Sequence, residues 1–577
     1  DGDFQAADGA NITFAANGRL KLAGASPRLG RINGAEFTSS EGTVEYDRLG
    51  GGSTQTIYDI PYFNLEIDGT DATDVKTANS NLDVDGTLTI TNGNLTLNNI
   101  DLDLEGNFTM AAGSFAPGNS AANNVAGIWN ETGGLFQPAA GTFTFSGTGG
   151  KTIVQNAGNF FNDLTVASGG TDKISAKTAI SVGGVFTNTN GTFDTEVNTV
   201  TVTGATNIDG GILEIAAGTF DANDFDANGA NVTFTGTGLL KLGGNDGTTP
   251  DLGTLDATTN DGTVEYDFNG VQGIFNATYH HLEIDNNTGT ATAGSALGVE
   301  GNLTVTAGNL TLNNIALTLG GNFVLTSGTF VPGNADHTVA GDWTETGGTT
   351  FEATAGKFTF NGAPSTITTD ADGGNKFFNL FINPGGGNTV NAGSNLDIDG
   401  ELEVTTGTLA MAGNNANVAG ITDIDGILTL RTGTFTADGE FDASAGNVTF
   451  TSGEAGTLLL KGTVTSLGTF NSNASGTVTY NGGSSQNLPG TPTYNNLTIN
   501  NTSNVILTGS PQVDGTLDFT NGIITTNTET LTIGSSGLVA NVADEKYIDG
   551  FCTKICANTN PFTFPVGDED GSANKKY

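Results

Sequence analysis

The sequence predicts an all-β chain, a single elongated parallel β-helix (β-solenoid) with coils of about 20–22 residues. Three observations lead there: a composition that favours strands, repetition on three nested periods, and short runs of alternating polarity closed by turn dipeptides. Charged residues are 14% of the 577, against roughly a quarter in an ordinary soluble protein. Gly contributes 87 residues, and Asn, Thr and Ser replace much of the missing charge. The good helix formers Lys, Glu, Arg and Met are scarce, while Val, Ile, Thr and Phe are abundant. That balance disfavours an α-rich enzyme. Disorder is disfavoured because the apolar residues are patterned rather than dispersed.

The longest period is visible in exact returns. Asn11-Ile12-Thr13-Phe14 recurs as Asn231-Val232-Thr233-Phe234 and as Asn447-Val448-Thr449-Phe450, at offsets of 220 and 216 residues. Gly42 to Asp47 is repeated unchanged from Gly262 to Asp267, and Gly93 to Ile100 from Gly308 to Ile315; Trp129 has its counterpart in Trp343. A motif of aromatic, Asn or His, Leu, any residue, Ile or Val divides each unit. Its leucines are Leu65, Leu164, Leu282, Leu380 and Leu497, spaced 99, 118, 98 and 117, which means two unequal half-units in series. Inside the half-units, Gly86, Gly106 and Gly127 are 20 and 21 residues apart, and Gly301, Gly321 and Gly341 are 20 and 20.

Each short period carries a strand pattern. In Gly86-Thr87-Leu88-Thr89-Ile90, Leu and Ile share one face and Thr the other. Turn dipeptides such as Asn92-Gly93, Asp399-Gly400 and Asp514-Gly515 separate such runs. One coil cannot bury its apolar face alone, but stacked coils can, each extending parallel sheets over one continuous core. At this period the chain makes roughly 26 coils. A string of β-sandwiches also gives short strands and turns, but the 20-residue glycine register counts against it.

The expected organisation is a solenoid over 1–545, with long repeats at about 1–220 and 221–436 and a partial copy at 437–545, then a cap or junction to a further domain at 546–577. The opening Asp3-Phe4 aligns with Asp224-Phe225, in the middle of a repeat. A start there leaves an open sheet end, so the expectation is that the natural chain continues N-terminally or that another subunit stacks on it. The closing segment differs in kind: it holds Cys552, Cys556 and four lysines, and the ending Lys575-Lys576-Tyr577 reads as cut rather than finished.

The texture of Gly141-Thr142-Phe143-Thr144-Phe145-Ser146-Gly147, Tyr494-Asn495-Asn496-Leu497-Thr498-Ile499-Asn500 and Gly515-Thr516-Leu517, with the closing Phe564-Pro565-Val566-Gly567-Asp568, resembles the long β-solenoid surface proteins and adhesins of Bacteroidota. The resemblance implies a large exported cell-surface protein of the type nine secretion cargo type, although no C-terminal sorting domain is visible. In an exported protein, a local disulfide between Cys552 and Cys556 pinning the cap is the expectation. Zinc there would need two further ligands, and no His or other Cys lies nearby in sequence.

Charge narrows the function classes. Lys+Arg 18 against Asp+Glu 61 gives a net charge of −43, which excludes a nucleic-acid partner and disfavours an anionic membrane surface. No apolar run reaches the ~20 residues of a membrane span. A carbohydrate-active β-helix enzyme would need clustered carboxylates with a base in a cleft, whereas here acids are spread through the repeats. His280-His281 is the one conspicuous basic pair. It stands where Phe63-Asn64 and Asn495-Asn496 stand in the other copies, and strand alternation is expected to point the two rings to opposite faces.

Asp83-Val84-Asp85-Gly86, Asp397-Ile398-Asp399-Gly400 and Asp423-Ile424-Asp425-Gly426 are the turns at which calcium is conceivable, although the full calcium-loop signature is missing. Thr-x-Thr pairs lack the unbroken rank of an ice-binding face, and Asn-x-Thr sequons carry no weight in so Asn- and Thr-rich a chain. The reading is a non-enzymatic extracellular structural or adhesive protein: a rigid stalk or fibre segment at the cell surface, meeting identical subunits or cell-surface glycans and proteins. No catalytic residue, cofactor-binding residue or metal ligand is expected, and no membrane insertion. The alternatives are a protomer of a self-assembling surface filament or lattice, and a carbohydrate-active β-helix enzyme.

Overall fold

The computed structural model describes residues 12, 14, 17–25, 41–48, 50, 52, 54–69, 73–244, 247–351, 353–362, 364–490, 492–557, 561–569 and 575–576. The Asp3-Phe4 alignment and the Asn11 and Thr13 of the first motif copy lie outside these residues. The chain is all-β, with about 26 stacked parallel coils forming a β-solenoid. One short 3-10 turn, Ala371–Gly373, is the helix among the described residues. Contacts divide the chain into two units, Asp1–Gly289 and Thr290–Tyr577, a cut that differs from the repeat boundaries near 220 and 436.

In unit 1 a coil is three short strands joined by turns. Leu82–Val84, Leu88–Ile90 and Asn94–Thr96 make one coil; Leu102–Leu104, Phe108–Met110 and Ser114–Ala116 make the next; Asn123–Val125, Trp129–Glu131 and Leu135–Phe136 follow. Each strand pairs in parallel with its counterpart one coil away, Leu88 opposite Phe108 and Phe108 opposite Trp129. Parallel neighbours related by a whole coil rule out a string of antiparallel sandwiches. Unit 2 is built alike: Leu317–Leu319, Phe323–Leu325 and Thr329–Val331 stack on Asp336–Val339, Trp343–Glu345 and Thr350–Phe351.

The core consists of ladders. Leu65, Leu88, Phe108, Trp129 and Ile153 occupy one inward register on five successive coils, all fully buried. Phe108 stacks on Trp129 with ring centroids 3.9 Å apart, and Phe323 on Trp343 at 4.0 Å. The five motif leucines are all buried to within 1%. At about 25 cal/mol per Å² of apolar surface removed from water, such ladders are the main stabilising term.

The residue before the motif leucine has its own function. Asn64 Oδ1 accepts the backbone N–H of Thr87 at 2.8 Å, Asn379 that of Glu401 at 2.8 Å, and Asn496 that of Thr516 at 3.0 Å. Each capped amide opens a strand on the following coil and would otherwise lack a partner.

Parallel stacking continues past residue 546: Ile548–Lys554 lies on Ile524–Ile533, and Val566–Glu569 pairs in parallel with Ile548 and Asp549, so two rungs fall inside the expected cap. The pattern changes on the far side of the second rung, where Val566–Glu569 pairs antiparallel with Lys575–Lys576.

The 20-residue glycine register has a steric cause. A Cβ at Gly106 would overlap the carbonyl oxygen of Gly86, and one at Gly127 that of Gly106; Gly341 stands against Gly321 in the same way. Gly106→Ala is therefore expected to cost about 1–3 kcal/mol through forced backbone shift, read as a lower urea midpoint. Gly150→Ala, with no atom near its added methyl, should leave the midpoint within error.

Candidate functional site

Outward-facing charge is arranged by the same stacking. Glu45, 1% exposed, is held by Arg19 and Lys21 of the preceding coil, each at 2.6 Å, and Arg19 also reaches Glu66 at 2.8 Å. The second copy repeats this arrangement with Lys241, bonded to Glu265 at 2.6 Å and Asp267 at 3.3 Å. Lys173 bridges Asp194 at 3.1 Å and Glu214 at 2.8 Å, two successive coils. These cations are occupied by carboxylates of their own chain.

The excess acid forms columns. Asp83 faces Asp103 on the next coil, with Asp85 and Glu105 beside them, and burial followed by those three charges raises the Asp83 carboxyl. Glu403, Asp423 and Asp442 stand in one register on three coils. Burial, then Asp425, Asp442, Glu403 and Glu440, raise Asp423. Two of the three Asp-x-Asp-Gly turns thus belong to like-charge columns, whereas Asp399 of the third is paired with Lys376 at 2.5 Å. Among the described residues no group of three His, Cys, Asp or Glu is placed to hold a metal ion.

The histidine pair departs from the expected alternation. A corner falls between strands Thr278–Tyr279 and His281–Ala293, so His280 is not part of a continuous strand with His281. The rings meet edge to face with centroids 4.4 Å apart, and His280 Nε2 lies 3.2 Å from Asp261 Oδ1. Burial, then the neighbouring His280, lowers the His281 imidazole, with Asp261 opposing.

Sequence reasoning missed the buried polar centres. Trp129 Nε1 donates to Glu131 Oε1 at 2.6 Å; Glu131 Oε2 accepts Asn156 N at 3.0 Å and Asn159 Nδ2 at 2.8 Å. Unit 2 repeats the cluster as Trp343, Glu345, Asp370 N and Asn375. A second centre occurs in each copy. Tyr46 and Tyr62 share a hydroxyl–hydroxyl bond of 2.8 Å, Tyr266 and Tyr279 one of 2.9 Å, and Tyr480 and Tyr494 one of 3.3 Å. Beside them, the amides of Gln55, Gln272 and Gln486 each donate to two carbonyls 24–33 residues earlier. Burial pushes Tyr46 and Tyr266 up to about 12. The repeated Trp and Tyr positions were the sequence evidence that could have found these centres. They hold coils together, and in unit 2 Asn375 also lines an open surface pocket with Thr349 and Lys376.

The two cysteines are free thiols. Cys552 lies inside strand Ile548–Lys554, and Cys556 lies beyond its end with its Sγ 3.8 Å from Lys554 O. The local bridge expected between them is not present in this structure.

Searches of protein-family models, curated proteins and solved structures return no match to the chain. No helix among the described residues is long and apolar enough to cross a membrane.

Two expectations follow. Burial is the largest influence on Glu131 and outweighs its three donors, so its folded value lies above the unfolded one. The folded chain then takes up the proton more readily, and the contribution of Glu131 to stability rises as pH falls through that window. Urea midpoints of wild type and Glu131→Gln at pH 7.5 and 5 should show wild type gaining on the variant at pH 5. Burial pushes the Cys552 thiol up to about 11, whereas Cys556 is exposed. Maleimide labelling of the unreduced native chain should modify Cys556 first and Cys552 slowly.

Proposed function

We propose that this chain is a non-enzymatic extracellular structural or adhesive protein, a stalk or fibre segment that sets a repetitive surface at a distance from the cell. The observation that carries the reading is recurrence. The Trp–Glu–Asn centre, the Tyr pair with its Gln, and the Lys–Glu ladder each return at the same register in another copy, so these polar centres are features of the scaffold. Catalysis calls for one place unlike the rest, with a base and carboxylates converging on a reacting atom. Here the acids lie in columns and the described cations of the solenoid body are largely engaged by them.

The partners that suit such a surface are identical subunits or cell-surface glycans and proteins. Unit 2 carries a groove lined by Asp372, Asn395, Asp397, Asn415, Asn417 and Thr434, a set of short hydrogen-bonding side chains suited to sugar hydroxyls. The dense negative charge argues against nucleic acid and anionic membranes. A second reading, the protomer of a surface filament or lattice, draws on Leu538, Phe551, Ile555 and Phe564, apolar side chains 44–66% exposed on the closing coils. Calcium belongs to this proposal at the Asp-Gly turns Asp83–Gly86, Asp397–Gly400 and Asp423–Gly426, as a counterion to their carboxylates.

Immunogold labelling of the source cells, combined with an assay for release of reducing or unsaturated sugars from a polysaccharide panel, tests the reading. Surface labelling without sugar release is expected. Intracellular labelling would remove the stalk proposal, and sugar release would favour the carbohydrate-active enzyme. Sedimentation velocity on the purified chain separates lone particles from filaments.

A further inference from the structure

The inward face of unit 2 carries a titratable group where unit 1 has none. Asn123 in unit 1 and His337 in unit 2 hold the same place in their coils, opposite Phe143 and Phe358 of the following coil. Both are buried, 0% and 1% exposed. Both supply an acceptor to the coil before. Asn123 Oδ1 takes the backbone N–H of Leu102 at 3.2 Å, and His337 Nδ1 takes that of Leu317 at 3.2 Å. Leu102 and Leu317 each open the first strand of that preceding coil. The Asn123 amide also donates to Ser120 O and Thr142 O, whereas His337 Nε2 has no protein partner. The imidazole instead stacks on the ring of Phe358, centroids 4.5 Å apart.

We infer that His337 is an acid-sensitive latch in unit 2, whose protonation releases the Leu317–Leu319 strand from Asp336–Val339, while the corresponding contact in unit 1, made by Asn123, holds. A neutral imidazole that accepts at Nδ1 carries its hydrogen on Nε2. A proton taken from solvent adds to the Nδ1 lone pair, so two N–H groups face each other and a charge lies in an apolar cluster. Strand Leu317–Leu319 brings no titratable side chain to the site. Asp336 on the latch's own strand is the neighbouring charge that favours the proton, and it is engaged by Lys357 of the following coil at 3.6 Å. Across the core, Phe358 packs among Phe330, Trp343, Phe351 and Phe377. Glu345, the carboxylate in that cluster, is tied to Trp343 and Asn375. Unit 1 has the same carboxylate in Glu131, so comparing the two units isolates the histidine.

Burial lowers the imidazole from 6.5 to about 4 against the opposing pull of Asp336. The opened coil therefore binds the proton more tightly than the closed one. Stability from the latch is present above pH 6.5 and is lost as pH falls towards 4. On that difference, the opened population rises on the order of 30-fold between pH 7.5 and pH 5.

Hydrogen exchange on the intact chain at pH 7.5 and 5, with rates corrected for intrinsic pH dependence, reads this directly. In wild type the peptide covering Leu317–Leu319 should lose roughly 30-fold in protection at pH 5, and the peptide covering Leu102–Leu104 should not. His337→Asn should abolish the loss, and Asn123→His should transfer it to the Leu102 peptide. An equal pH response of the two peptides in wild type, or a response that survives in His337→Asn, overturns the latch. Should either variant fail to fold, the two-peptide comparison within wild type still decides.

Discussion

Each coil of this chain lies one strand spacing, ~4.8 Å, from the next, and that distance governs what every position can hold. A side chain meets its counterpart one coil away more closely than almost anything else. Inward, the result is apolar residue on apolar residue, as in the Leu65–Leu88–Phe108–Trp129–Ile153 ladder. At the corners it leaves no room for a Cβ, and so Gly106 stands over Gly86. Where a strand begins, an amide needs an acceptor that the sheet does not supply, and an Asn of the preceding coil provides it. Composition, period and motif all follow from that one spacing.

The buried polar centres explain why the long period exists beside the short one. A solenoid of identical coils would need only the 20-residue repeat. Here the Trp–Glu–Asn and Tyr–Tyr–Gln centres each join segments that belong to different coils, up to 33 residues apart, so they require particular corners at particular distances. Two kinds of corner placed at different coils give unequal half-units, and the half-units together give the period of about 215–220 residues. A buried carboxylate with three donors is a costly element to leave half-satisfied, which ties its members together as a set.

How much of this was legible in the sequence follows from the same geometry. The fold class was, because alternation in Gly86 to Ile90 and the glycine register report directly on inward faces and tight corners. The buried centres were not. Glu131 and Asn159 are 28 residues apart, and nothing in either residue's neighbourhood announces the other; only the recurrence of Trp129 as Trp343 hinted at a shared requirement. Alternation does not carry through the histidine pair because the chain bends at His280, between strands Thr278–Tyr279 and His281–Ala293. The disulfide expected of an exported cap rests on context rather than geometry, and the sequence does not show that Cys552 sits in a strand that ends before Cys556. The acidic turns could be recognised as turns, but whether their carboxylates converge depends on the register between coils.

That register also decides how so acidic a chain tolerates itself. Glu403, Asp423 and Asp442 stand a strand spacing apart with no cation between them in register, and burial, then the neighbouring carboxylates, raise Asp423. Such columns persist because their outer sides meet water and salt, where like charges at this spacing cost far less than inside a core. Where the outward acid is itself buried, as at Glu45 and Glu265, the chain places a lysine on the adjoining coil. Glu131 and Glu345, equally buried, are held by neutral donors instead, and Lys357, Lys376 and Lys461 pair with more exposed carboxylates. Two copies of such a surface repel each other along most of their length. Residues 546–577 differ, with Lys546, Lys554, Lys575 and Lys576 against Asp549, Asp568, Glu569 and Asp570. Contact between copies is least opposed by charge in that segment, which also holds exposed Phe551, Ile555 and Phe564.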